Sequence, residues 1–173
     1  MKMGIMQGAD RTPATIEDIS AMAVRAEAAG FDSLWMAHIR ALDAISALTV
    51  AGTATQRIEL GTAVTPIYPR HPMALVQQAL TAAQACAGRF TLGIGLSHKV
   101  VVEGMLGLSY DKPARYMRDY LGAMLPLLHG EVTNYQGELF TINGLQIDMP
   151  GVAPPSVIIA ALGPVMLKMT GRL

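Results

Sequence analysis

Cysteine is almost missing from this chain: Cys86 stands alone among 173 residues. A lone thiol forms no internal disulfide, and no cysteine pair or His/Cys cluster offers metal-ligand spacing, so disulfide scaffolds and zinc modules are excluded and no metal site is expected. The same scarcity points to a reducing compartment, the cytoplasm. Net charge is missing too. Thirteen Lys+Arg balance thirteen Asp+Glu, and no run of four or more basic residues occurs. Without a basic field there is nothing to draw in phosphate backbones or anionic head groups, and nucleic acid is not an expected partner. Long apolar runs are also absent. The longest, Val157 to Leu162, falls far short of the roughly 18 residues that a membrane span requires, and the opening MKMGIMQGAD has no apolar core with a small-residue cleavage site. The reading is a chain neither secreted nor membrane-spanning. What remains is 51% hydrophobic and only 15% charged, enough apolar material for a sizeable core.

That material is ordered. A short apolar run, a Gly/Pro/polar turn and a helix-spaced segment closed by glycine recur along the chain, the signature of successive βα units. The first strand is Met3 to Gln7, followed by a loop at Gly8 to Ala14 and a helix at Thr15 to Ala29. Thr15 and Asp18 hold N-capping spacing there, Ile16, Ile19, Met22, Ala23 and Ala26 form one stripe, and Gly30 is the C-terminal stop. The second strand is Phe31 to Ala37 and its helix spans Asp43 to Thr55. The third is Ile58 to Val64; a proline-rich loop then leads to a helix with Pro72 in its first turn, carrying Met73, Val76, Leu80 and Ala83 and ending at Gly88. The fourth strand is Phe90 to Ser97, where Gly93 and Gly95 leave room for close approach to the backbone. A long helix covers Asp111 to Leu128. Residues 130–155 break the rhythm: Val132 to Tyr135 and Leu139 to Ile142 read as a small inserted hairpin. The fifth strand is Ser156 to Leu162, and Gly163-Pro164 opens a helix running to Leu173.

Continuous apolar strands alternating with helices imply a parallel sheet with right-handed crossovers, either an open doubly wound sheet or a barrel. In both, ligands bind beyond the C-terminal strand ends. Those positions are Gln7-Gly8, His38, Thr62 to Thr65, Ser97-His98 and Leu162-Gly163. The set is small, polar and glycine-rich, with no acid directly at a strand end. It suits an aromatic cofactor that brings its own chemistry better than it suits hydrolysis.

The run Ala26-Glu-Ala-Ala-Gly-Phe-Asp-Ser-Leu-Trp35, with His38 three residues on, resembles the second-strand signature of the bacterial luciferase-like monooxygenase superfamily. Arg57 to Val64, Tyr68-Pro-Arg-His-Pro72, Gly88 to Gly95 and Ala160 to Pro164 most resemble its deazaflavin-dependent branch. The resemblance covers almost the whole chain and is silent on substrate. It implies a TIM-type (β/α) barrel, here stopping after about five of eight βα units, as a single incomplete domain over residues 1–173. It further implies a homodimer or higher oligomer, the coenzyme F420 (8-hydroxy-5-deazaflavin) as cofactor, and hydride exchange with a small-molecule substrate. Carried over by motif, His38 is the catalytic candidate beside the reactive ring. Several members have Asp-His there, whereas this chain has Ala37-His38. Thr62, Ala63 and Val64 match a bulge that contacts the ring through a non-proline cis peptide, here Ala63-Val64. Gly95, Leu96 and Ser97, with Leu162 and Gly163, complete the cofactor-binding set, and His98 stands where some members place a substrate-side glutamate.

Structural accounts compete at each position. His38 can equally tie down a loop, His98 is a candidate solvated loop residue, His71 suits a helix cap and His129 a helix C-terminus. Gly93-Ile-Gly95-Leu-Ser-His98 resembles the front of a dinucleotide fingerprint, but the third glycine is a histidine and no helix is expected directly after it. The methionines read as core fillers and Cys86 as an inert buried thiol. Two functional alternatives stay open: an FMN-dependent monooxygenase on the same fold, and a non-catalytic flavin-binding or assembly protein.

Overall fold

The structure, a computed structural model, describes residues 1–8, 14–39 and 41–171. In chain order the elements are β1 (Gly4–Gln7), α1 (Ile16–Ala28), β2 (Ser33–Met36), α2 (Ala44–Thr53), β3 (Glu59–Thr62), β4 (Thr65–Pro66), α3 (Pro72–Ala85), β5 (Phe90–Gly95), α4 (Lys99–Val102), α5 (Pro113–Leu128), β6 (Thr133–Gln136), β7 (Thr141–Leu145), β8 (Ser156–Ile159) and α6 (Pro164–Thr170). The main sheet has the order β1-β2-β3-β5-β4, with β8 also pairing β5. Its β1–β2, β2–β3 and β3–β5 ladders are parallel, with Ile5 opposite Leu34, Leu34 opposite Leu60, and Leu60 opposite Phe90. This is the α/β architecture with a parallel sheet expected from the alternation of apolar strands and helices, and it has the TIM-barrel-like form that the resemblance implied, with a sheet that does not close among the described residues. The inserted hairpin is present as the antiparallel pair β6–β7.

The chain divides into two compact units. The first comprises Met1–Thr65, Gln78–Ile94 and Gly151–Ile158; the second comprises Pro66–Gln77, Gly95–Pro150 and Ile159–Leu173. In the first unit α1 and α2 pack together, and Ile19, Ala23, Leu34, Leu48 and Leu60 are fully or almost fully buried. The capping box is formed: Thr15 Oγ1 accepts from the Asp18 amide at 3.1 Å while the Asp18 carboxylate accepts from the Thr15 amide at 2.8 Å. At the other end Gly30 takes φ 82°, and the Phe31 and Gly30 amides reach back to the Ala26 and Glu27 carbonyls, a Schellman closure. In the second unit α5 buries Met117, Tyr120, Leu121, Met124 and Leu127, and packs against β6, β7 and α6.

Several expected boundaries move. The third strand stops at Thr62, where its hydroxyl takes over the next rung of the ladder. The fourth stops at Gly95 because Ser97 adopts φ 62°, which no strand tolerates. The long helix starts at Pro113 because Lys112 is left-handed at φ 46°, and Pro113 fills the first helical position. The fifth strand ends at Ile159, and Leu162 is 89% exposed; an apolar run carries no internal stop signal. The α3 terminus is closed by Ala87 at φ 51°, one residue before the expected Gly88. The helix α4 and the two-residue β4 were not expected. Most of the loop expected after β1, and the end of the helix expected to reach Leu173, lie outside the described residues.

Candidate functional site

The C-terminal ends of β2 and β3 lie side by side in the first unit, since Met36 pairs with Thr62 and the Ala63 amide donates to the Met36 carbonyl at 2.9 Å. His38 follows two residues after Met36. Its Nδ1 accepts from the Ala44 amide at 3.2 Å, at the start of α2. With Nδ1 used as an acceptor, the neutral ring carries its proton on Nε2. The Asp43 Oδ2 atom lies 3.6 Å from the same Nδ1, while Asp43 Oδ1 caps α2 by accepting from the Ser46 amide at 2.8 Å. A carboxylate five positions beyond the histidine thus faces the ring, where Ala37 offers none.

Ala63–Val64 is a cis peptide, as the resemblance implied. Around it Thr62 is fully buried, its Oγ1 donating to the Gly93 carbonyl at 2.7 Å and accepting from the Gly93 amide at 2.9 Å. A Cβ on Gly93 would collide with the Thr62 carbonyl. The close approach read from this glycine is therefore made by the neighbouring strand and not by a ligand. Ala63 and Val64 remain partly exposed, a neutral ledge of small side chains at the end of the strand that neighbours the one leading to His38.

The other candidate residues belong to the second unit. Gly95 ends β5, its carbonyl accepting from the Ile67 amide at 3.0 Å. Leu96 is half-buried. The Ser97 carbonyl accepts from the Tyr110 hydroxyl at 3.2 Å. His98 is exposed and precedes α4 without capping it through its side chain. This corrects one expectation, because a helix does open directly after the Gly93–His98 segment; with four residues and no third glycine it is no dinucleotide fingerprint. Leu162 and Gly163 are exposed and lead into α6. The structure accordingly joins His38 with Thr62, Ala63 and Val64, and carries Gly95, Leu96, Ser97, His98, Leu162 and Gly163 on the other unit.

Sequence reasoning missed an aromatic cluster in the second unit. Tyr68 stacks on Tyr116 with centroids 4.1 Å apart and on Tyr110 at 5.5 Å, and Phe140 meets Tyr116 and Tyr120 edge-on. Burial, followed by the neighbouring tyrosines and Glu103, pushes the Tyr68 phenol up to about 12. Beside it opens a cleft of about 360 Å³ lined by Tyr68, Leu108, Lys112, Arg115, Tyr116 and Leu139. The four-residue spacing of Tyr116 and Tyr120 was the available signal. Of the remaining histidines, the His71 Nδ1 accepts from the Met73 amide at 3.2 Å, a cap on α3, and His129 is the C-terminal cap residue of α5. Cys86 is buried, which raises its thiol pKa. Among the described residues no group of His, Cys, Asp and Glu could hold a metal ion, and no helix is long and apolar enough to cross a membrane.

The pattern of the luciferase-like monooxygenase family matches residues 1–173. The chain is 34% identical over 150 residues to a 5,10-methylenetetrahydromethanopterin reductase of Archaeoglobus fulgidus, covering 86% of this chain and 44% of that protein. Its fold superimposes on the coenzyme F420-dependent tetrahydromethanopterin reductase of Methanopyrus kandleri with a TM-score of 0.81 at 24% identity, over 99% of this chain and 53% of that one. It also matches the FMN-bound oxygenating constituent of 3,6-diketocamphane monooxygenase from Pseudomonas putida, with a TM-score of 0.77 at 18% identity over 92% and 51% of the two chains. The chain therefore spans about half the length of these relatives.

Proposed function

The chain belongs to the luciferase-like monooxygenase family, and from that premise we propose that it is an oxidoreductase exchanging a hydride between a deazaflavin coenzyme, F420, and a small organic substrate. The observation that carries this reading is the pairing of a neutral, small-residue ledge at Ala63–Val64 with His38 on the adjoining strand end, in a chain similar to the Archaeoglobus reductase. The donor set fits such a group: an uncharged flat ring needs an apolar seat and one proton-handling neighbour, and both are present. When bound, the coenzyme supplies the two-electron chemistry. The protein supplies the proton. Reduction of a C=O, C=N or activated C=C bond leaves the second atom short of a proton, which the imidazolium of His38 gives. In this reading the protein works in the cytoplasm as a homodimer or higher oligomer, since β1 has a neighbour on one side only in the sheet order and an open edge invites pairing.

The experiment is an anaerobic hydride-exchange assay with F420, comparing the protein with its His38→Ala variant. Turnover should fall by about 10²-fold or more while coenzyme affinity falls far less. Equal turnover, or a loss traced wholly to coenzyme binding, returns His38 to tying down a loop. The similarity to an FMN-bound monooxygenase favours a second reading, FMN with oxygen chemistry, marked by tighter binding of FMN than of F420. Stoichiometric coenzyme binding without turnover in either assay would favour a non-catalytic flavin-binding or assembly protein.

A further inference from the structure

We propose that Asp43 is the positioning residue that allows His38 to carry a second proton, an inference that rests on His38 being the proton-handling group. Among the described residues, the Nδ1 atom of His38 faces two neighbours with opposite demands, the Ala44 amide and the Asp43 carboxylate. The Ala44 amide, at 3.2 Å, can only donate to it; the Asp43 carboxylate, at 3.6 Å, can only accept from it. An imidazole nitrogen satisfies the first when bare and the second when protonated. The neutral ring therefore rests on Ala44, with its proton on Nε2, and has no basic nitrogen left on the Nε2 side. To give a proton from Nε2 it must first be doubly protonated, and Nδ1–H then needs an acceptor.

The surroundings make that acceptor matter. His38 sits at the start of α2, where the amide and the positive end of the helix dipole oppose an imidazolium. Asp43 offsets both. Its Oδ1 is fixed by the Ser46 amide at 2.8 Å, which leaves Oδ2 on the side of the ring, and the pair is only 17% and 30% exposed, so solvent screens it less than a surface ion pair. Among the described residues of the same unit, the following charged groups are engaged elsewhere. On α1, Asp18 is tied to Thr15, and Glu27 accepts from the Gln56, Arg57 and Ile58 amides. Asp32 accepts from the Met3 amide, Glu59 pairs with Lys2, and Arg89 holds carbonyls after α2. Lys2, Asp32, Arg57, Glu59 and Arg89 lie at the N-terminal strand ends, opposite His38.

The test is a titration of the histidine ring resonances by NMR, without coenzyme, in the natural chain and in Asp43→Asn, with the His38 signal assigned by its loss in His38→Gln. Asparagine keeps the helix cap and removes the charge. The His38 midpoint should drop by about half to one pH unit, three- to tenfold in proton affinity, while the other histidines hold still. An unchanged His38 midpoint overturns the proposal. Should Asp43→Asn fail to fold, the ¹⁵N shifts of the natural chain decide: an Nε2–H tautomer at high pH is expected, and an Nδ1–H tautomer contradicts the switch of partners. Because no coenzyme is present, failure of the deazaflavin reading leaves this result standing, and a negative titration leaves coenzyme binding untouched.

Discussion

Arg89 in the first unit and Asp119 in the second do opposite jobs with opposite charges. Arg89 donates to the Gly52, Thr55 and Ile58 carbonyls and to the Thr55 hydroxyl, at 2.8 to 3.0 Å, closing the C-terminal end of α2. Asp119, on α5 and only 6% exposed, accepts from the Tyr135 hydroxyl and Leu139 amide at 2.6 Å and from the Phe140 amide at 3.2 Å, holding the hairpin to the helix. One unit is a regular sheet whose loose carbonyls are gathered by a cation. The other carries a short hairpin whose loose amides are gathered by an anion on α5. Regular ladders satisfy their own backbone, so the side chain only trims the ends; an insertion without enough ladder needs a buried charge at its centre.

The sharpest way to break that comparison is Asp119→Leu. It strands a phenol and two amides at once, so we expect a loss of about 3–5 kcal/mol by denaturant unfolding, with hydrogen exchange rising first in β6 and β7. Arg89→Met should cost less, about 2–3 kcal/mol, because under-satisfied carbonyls are better tolerated than orphaned amides. An equal or larger loss at Arg89 would reverse the ranking of the two units.

Alkaline pH sharpens the same contrast. Burial first, then the hydrogen bond and charge of Asp119, push the Tyr135 phenol from 10.0 up to about 12. The unfolded chain thus releases this proton before the folded one, so the stabilisation is whole below pH 10 and is lost as pH rises through 12. Tyr135→Phe should flatten that alkaline decline, as read from denaturant midpoints across the window. The smallest effect is expected at Ala87, which closes α3 at φ 51°. Ala87→Gly should raise stability by about 0.5–1 kcal/mol, because glycine bears the left-handed conformation without a Cβ penalty; a loss would mean that the extra freedom of the unfolded chain outweighs it.

The two units also differ in how far their sequence could be read. The capping box at Thr15 and Asp18, the glycine stop at Gly30 and the apolar strands that carry Leu34 and Leu60 follow from local spacing, and local spacing is what a βα unit is built from. His38 and Ala63–Val64 were found as strand ends plus a family resemblance. Asp43 was read only as a helix start, because its approach to His38 depends on how the chain turns between β2 and α2. Asp119 left no signal: a carboxylate between Arg118 and Tyr120 reads as surface, and only the fold shows the amides that need it. Gly93 misled for the same reason, since the partner that fills its empty side comes from β3.

The central claim is that the joined ends of β2 and β3 seat a deazaflavin ring beside His38. Its most direct test is an NMR titration of the chain with oxidised F420. The account predicts the largest shift changes at His38, Thr62, Ala63 and Val64, with FMN producing weaker changes there. Absence of change at those residues, or changes confined to the Tyr68–Tyr116 cleft of the second unit, would contradict it.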